Sequence, residues 1–231
     1  MTPRRRFYKD VAVTGELGIA LDGRAVRTPM KAPLVLPTRP LAEAVAAEWD
    51  AQGDKIAPST LLFTKLANTA IDRVGPDRAR ITGEVLDYAN SDLVCYRADR
   101  PAELVKLHAE AWDPVVGWAL TQLDAPFVVT EGILHAPQPA AALKAFETAL
   151  GGLSDFEFAA YYSNMNITGS ALIAMMLARG GIAPEQAWIA AHVDEDYQIA
   201  HWGQDEEAAG RRAGRYGEFM ACCRFMALAQ A

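Results

Sequence analysis

Cysteine is scarce in this chain, and its scarcity excludes two architectures. Only Cys95, Cys222 and Cys223 occur among 231 residues, too few and too irregularly spaced for a disulfide framework or a cysteine-based zinc site. The adjacent pair falls in a helical pattern, where small soft side chains serve as packing, and a reducing compartment is expected. Long apolar runs are also missing. The longest, ALIAMMLA from Ala171 to Ala178, is far short of the roughly 20 residues that cross a bilayer, so no membrane insertion is expected. The start, MTPRRRFYKD, has neither the apolar stretch of a secretory signal nor the length of an organelle presequence. It reads as the start of a cytoplasmic protein or of a mature one. Positive charge is thin in the second half. Residues 1–124 carry 16 Lys and Arg against 17 Asp and Glu, whereas residues 125–231 carry 6 against 12. Nucleic-acid binding is driven by cationic side chains that release counterions, so no nucleic-acid partner is expected. An acidic half suits a basic protein surface better.

The usual chemical signatures are equally sparse. Gly15, Gly18 and Gly23 are followed by no Gly-Lys-Ser/Thr and make no phosphate loop. Ser170, in TGSALIA, lacks the second glycine of a nucleophile elbow, and Cys95 has no candidate base beside it in sequence.

What is present is enough for a folded core: 51% of residues are apolar and 22% charged, and the length fits one or two domains. The first forty residues read as strands. Phe7, Val11 and Val13 fall on one face, and IALDGRAV is a hairpin whose Asp22-Gly23 tip supplies the positive φ angles of a two-residue turn. Leu34–Leu36, between Pro33 and Pro37, is a further short strand or edge. Helical spacing follows from Arg39 to near Gly53 and again from Pro58, with Gly75-Pro76 as a stop. A third helix is expected over 77–90, a strand or buried turn over 92–96, and helix over 101–123 interrupted at Asp113-Pro114. Phe127–Val129 reads as a strand. Helices follow over 137–150, from Ser154 with a capping-box Glu157, over 168–179, from Pro184 to Trp202, and from Asp205 to Ala229. The fold class is α+β: a small antiparallel β-rich N-terminal domain with two short helices, 1–75, followed by a larger, mainly α-helical C-terminal domain, 76–231.

One stretch stands out. HVDEDYQIAHWGQDEE, His192–Glu207, packs Asp194, Glu195, Asp196, Asp205, Glu206 and Glu207 among Val193, Tyr197, Ile199, Ala200 and Trp202. A merely solvated charge run needs no such interleaving, so the stretch reads as an acidic, partly apolar surface for a protein partner. A metal site could use His192, Asp196 and His201. The first two share a helix face, but His201 lies five residues beyond Asp196 and about 140° off it; a surface helix is the plainer reading. Clustered acids also lack the apolar isolation that tunes a catalytic carboxylate pair. In LANTAIDR, Asn68 and Asp72 share a face and could meet a ligand, or could simply bond the neighbouring sheet. Trp49, in AEWD, reads as a core anchor. Arg211, Arg212 and Arg215 form a basic face beside the acidic one, open to internal pairing or to the rim of a partner site.

In order along the chain, RRRFYKDV, LDGRAVRTPMKAPLVLP, AEWDAQG, LANTAIDRV, DLVCYRA, WDPVVGWA, TGSALIA and HVDEDYQIAHWGQDEE resemble the assembly chaperones of the F-type ATP synthase that bind its free alpha subunit. Each motif is weak alone; the ordered set is specific and spans nearly the whole chain. The resemblance implies a non-enzyme without cofactors that holds the alpha subunit until beta replaces it. It implies a bacterial cytoplasmic member of a family whose eukaryotic members work in the mitochondrial matrix, and a monomer is expected. It places the family's acidic position in VDEDYQ, with Glu195 the best match, Asp194 and Asp196 beside it, Trp202 as apolar anchor, and Asp205 and Glu206 on the same surface. The competing expectations are a metal-dependent enzyme using His192, Asp196 and His201, and a general holdase.

Overall fold

The computed structural model describes residues 4–132 and 136–231. The fold is α+β, with a small antiparallel sheet near the N-terminus followed by a larger helical region. It divides into two compact units. One takes the chain up to Arg78 and also gathers Ser154–Ala160 and Ala221–Ala231; the other takes Ala79–Leu153 and Tyr161–Met220.

In the first unit β1 (Arg4–Arg5) precedes a meander of β2 (Val11–Val13), β3 (Ile19–Leu21) and β4 (Arg24–Ala25), in which Val11 faces Leu21 and Leu21 faces Arg24. Asp22 and Gly23 both have positive φ, 48° and 76°, the twist-matched turn expected of Asp-Gly. The Asp22 carboxylate accepts the N–H groups of Lys9 and Asp10 at 3.0 and 2.8 Å, and these bonds hold its pKa below the usual range. The expected strand at Leu34–Leu36 reduces to isolated bridges, Gly18 with Val35 and Arg27 with Pro33, because the flanking prolines donate no ladder bond. Thr38 caps α1 (Arg39–Asp50), accepting from the N–H of Leu41 at 3.2 Å. β5 (Lys55–Ile56) pairs with β1. Glu48, on α1, accepts the N–H groups of Phe63 and Thr64 at 2.6 and 2.9 Å and so satisfies the open start of α2 (Leu62–Thr69).

Gly75-Pro76 does not stop the chain's helical course. A π turn, Ala70–Val74, leads straight into α3 (Gly75–Ala89), with one non-helical residue, Asp77, at φ −113° and ψ 18°. Proline in a first helical turn lacks a donor that would be unpaired there anyway. The chain therefore bends without becoming a loop.

In the second unit Leu93–Cys95 is a 3-10 turn rather than a strand and leads into β6 (Tyr96–Arg97). α4 (Ala102–Leu123) runs through Pro114 unbroken. Trp112, Val115 and Ala119 are buried on either side of the proline, and that burial outweighs the one lost hydrogen bond. The strand expected at Phe127–Val129 instead forms just beyond, as β7 (Thr130–Glu131), parallel to β6. The Gln138 amide explains the shift: it donates to the Val128 carbonyl at 3.0 Å and accepts the Val128 N–H at 2.8 Å, occupying both groups a ladder would need. α5 (Ala140–Gly151) follows, then α6 (Asp155–Thr168). Ser154 and Glu157 form the reciprocal capping box at 2.7 and 3.3 Å, both within the first unit.

α7 (Ala171–Ala178) has all eight residues buried. Ser170 caps it by accepting from Ile173 at 3.0 Å and donates to Asp92 at 2.7 Å. Asp92 also accepts the N–H groups of Ala171, Leu172 and Val94 at 2.6, 3.0 and 3.2 Å. The expected single helix from Pro184 to Trp202 is two, α8 (Pro184–Ala191) and α9 (Val193–Trp202), broken at His192 with φ −120° and ψ 22°. α10 (Glu206–Ala229) closes the chain.

Burial raises the Asp92 carboxyl to about 6, against the opposing effect of its hydrogen bonds. The folded state therefore holds this proton more tightly than the unfolded chain. The stability Asp92 contributes is full below the ordinary carboxylate range and is lost as pH rises through about 6. In urea titrations from pH 4 to 7, the wild type should lose about 2 kcal/mol relative to Asp92→Asn. A difference that stays flat or grows with pH would refute this.

Candidate functional site

The acidic stretch folds as α9, a sharp turn and the start of α10. Three acids in its first turn complement the positive helix end, and Val193 points inward at 7% exposure. The three do different things. Asp194 accepts from His108 Nε2 at 2.8 Å. The other ring nitrogen of His108 accepts the Ala98 N–H at 3.1 Å, which assigns the ring proton to Nε2. His108 is buried on α4 and stacks on Trp112 at 3.9 Å. Trp112 in turn donates to the Ala190 carbonyl at 2.6 Å. Asp194 is therefore a fastener between α9 and α4.

Asp196 forms an ion pair with Arg212 of α10, whose side chain is only 20% exposed. Glu195 lies 3.9 Å from Arg212 and 4.0 Å from His192 Nε2, with 42% of its side chain exposed. It is the least committed acid of the three. Trp202 ends the helix at 76% exposure, beside Tyr197 and His201 with ring centroids at 6.5 and 5.8 Å. Gly203, at φ 80°, makes the turn. Asp205 caps α10 by accepting from Ala208 at 2.8 Å, and Glu206 is exposed. The structure thus brings Glu195 and Asp196 together around Arg212 and ties the half-exposed Asp194 to His108 of α4. Asp205 is spent on a cap.

His192, Asp196 and His201 do not converge. His192 is buried, donates from Nδ1 to the Trp188 carbonyl at 2.7 Å and stacks on Trp188; burial lowers its pKa, with that bond and Glu195 opposing. Asp196 belongs to Arg212. His201 donates from Nδ1 to the Tyr197 carbonyl at 2.8 Å, and its Nε2 lies 3.6 Å from Glu103. Among the described residues no group of three His, Cys, Asp or Glu side chains is placed to hold a metal ion.

Ser170 is fully buried as a helix cap, and the buried Cys95 thiol is pushed up to about 12 by burial and by Asp92; neither is an activated nucleophile. Asp72 accepts from Thr28 Oγ1 at 2.6 Å and the Met30 N–H at 3.0 Å, so this end of LANTAIDR bonds the sheet region. Trp49 packs against the small cluster of Tyr8, Leu21, Ile56 and Leu61, as a core anchor should. The residue that sequence reasoning missed is His108, which helical spacing presents only as one more core position.

No helix of the chain is long and apolar enough to cross a membrane, among the described residues. The model of the family described as ATP12 chaperone protein matches residues 5–120. The mitochondrial protein atp12 of Schizosaccharomyces pombe is 24% identical over 223 residues, covering 88% of this chain and 75% of its own. The crystal structure of Atp12 from Paracoccus denitrificans is 36% identical with a TM-score of 0.91, covering 98% of both chains. The Atu1473 protein of Agrobacterium tumefaciens, solved as a candidate chaperone, is 41% identical with the same TM-score, covering 97% of this chain and 85% of its own.

The different roles of neighbouring acids can be measured. Asp194→Ala strands the buried His108 donor and should cost about 1 kcal/mol in urea unfolding. Glu195→Ala should stay within about 0.5 kcal/mol of wild type. Equal losses would contradict the geometry.

Proposed function

This chain belongs to the ATP12 chaperone family, and from that premise we propose that it is an assembly chaperone of the F-type ATP synthase. In this reading it binds the free alpha subunit as a monomer, shields its subunit interface and yields it to beta, without catalysis or cofactor, in the cytoplasm of a bacterium. The observation that carries the reading is the match, over nearly the whole chain, to a solved Atp12.

Physical reasoning supports the choice of client. An unassembled ring subunit exposes a large apolar interface, and such patches aggregate. Its chaperone must cover that area and still be displaced, so a charged contact of moderate strength serves better than a large apolar one. α9 offers such a contact. Glu195 and Asp196 present negative charge, and Trp202 presents an exposed indole of the kind that anchors interfaces. Asp205 and Glu206 extend the acidic surface past the turn. Arg212 already neutralises part of this charge, so a basic group on the client has to compete with it, which limits affinity and eases release.

The test is retention of purified or lysate alpha subunit on tagged protein, with Glu195→Lys in parallel. Wild type should retain alpha without beta. The variant should lose about ten-fold or more in affinity, the cost of a like-charge contact at a basic client surface. No alpha in the wild-type eluate sinks the function, and many unrelated clients would favour a general holdase. Normal binding by the variant sinks only the assignment of Glu195.

A further inference from the structure

The first unit carries a groove that the acidic helix does not involve. It encloses about 670 Å³. Its floor is the outer side of the small cluster beneath the meander: Tyr8, Leu21, Val26, Trp49 and Ile56. Phe7 stands at its edge with 61% of its surface exposed, its ring against Tyr8 at 5.4 Å. An isolated exposed phenylalanine needs no explanation. One that extends an aromatic floor at an open groove enlarges a single apolar contact surface.

The charges around this floor are mainly positive. Arg24 and Arg27 line the groove and are exposed. Arg27 donates to the Lys31 carbonyl at 2.8 Å, a bond that leaves its charge unneutralised. The acid that lines the groove, Asp22, accepts the N–H groups of Lys9 and Asp10 and keeps a charge that acts on Arg24, so two arginines face one carboxylate. β4, which carries Arg24, is the last strand of its three-stranded sheet. The buried Nε1–H of Trp49 hydrogen-bonds to no described residue.

We propose that this groove binds an extended segment of a protein partner in which an apolar side chain stands next to a carboxylate. The apolar side chain lies on Tyr8, Trp49 and Phe7, and the carboxylate meets Arg24 and Arg27. The choice of occupant rests on charge complementarity: an apolar peptide with basic flanks would face two arginines, whereas one with acidic flanks neutralises them. In a chaperone the segment belongs to the client, and to that extent the inference builds on the function proposed above. The charge preference is opposite to that of α9, so the two surfaces would select different stretches of one client.

The probe is the blocked tetrapeptide Glu-Phe-Leu-Glu, with Lys-Phe-Leu-Lys as its charge-reversed partner. Each is titrated into the full chain while the Trp49 indole N–H is followed by NMR, its signal assigned with Trp49→Phe. The acidic peptide should shift that signal and bind about ten-fold tighter than the basic one. Arg24→Glu should erase or reverse the preference, and Phe7→Ser should weaken both peptides. Both side chains are exposed, so circular dichroism should confirm an unchanged fold. No shift at Trp49, equal affinity for the two peptides, or indifference to Arg24→Glu overturns the proposal. A concentration-dependent shift without peptide would show a second copy in the groove and overturn it as well. Failure to retain the alpha subunit would count against the function above, while the peptide titration would still decide the groove.

Discussion

The second unit depends on one buried carboxylate. α7 is apolar on every side, so it has no polar residue of its own to meet the open N–H groups at its start, and its burial keeps water away from them. Ser170 meets one. Asp92, 78 residues earlier in the chain, meets two more and accepts the Ser170 hydroxyl as well. Its fourth bond, from the Val94 N–H, fixes the turn that leads into β6. A fully buried charge without such partners would be far too costly. The same burial and the charge of Asp92 push up the Tyr161 hydroxyl and the Cys95 thiol, so the polar groups nearest the core remain inert. α4 and α8 pack on α7, and α9 is tied to α4 through Asp194 and His108. The acidic surface is held in place by this chain of contacts.

The elements legible in the sequence are those decided by neighbours in the chain. Asp22-Gly23 needs only its own backbone freedom to make a turn, Ser154 and Glu157 cap each other, and α7 announces its burial by composition. The misreadings have two causes, contacts from beyond the local signal and backbone geometry that the residue types do not announce. Gln138 takes the main-chain groups of Val128, burial around Trp112 and Val115 carries α4 through Pro114, and a π turn continues the helix where Gly75-Pro76 suggested an end. His192 breaks a helix at a residue with no helix-breaking character of its own; its ring is drawn onto Trp188 and hydrogen-bonds the carbonyl there.

The site divides in the same way. That residues 192–207 form an acidic, partly apolar surface is visible from composition alone. Which acid serves the fold is not, because the partner of Asp194 lies 86 residues away on another helix and Arg212 lies beyond the turn. Composition and spacing suggested a protein-binding surface and no more; the choice of family rested on the ordered motifs, each too weak to carry a mechanism by itself.

Three consecutive acids on one helical turn repel one another, and a surface that left all three unpaired would be at its worst when no client is bound. The pairing found here removes that problem at a cost to binding. His108 hydrogen-bonds Asp194, and Arg212 holds Asp196 with Glu195 close by, so none of the three acids is left unpaired. On the function proposed above, a basic group of a client would gain only the difference between its own contact and that of Arg212, in a setting exposed enough for salt to screen it. Weak net attraction is a defect in a permanent complex. In the proposed hand-over, where the client has to be let go, it would follow directly from a cation held beside the acids.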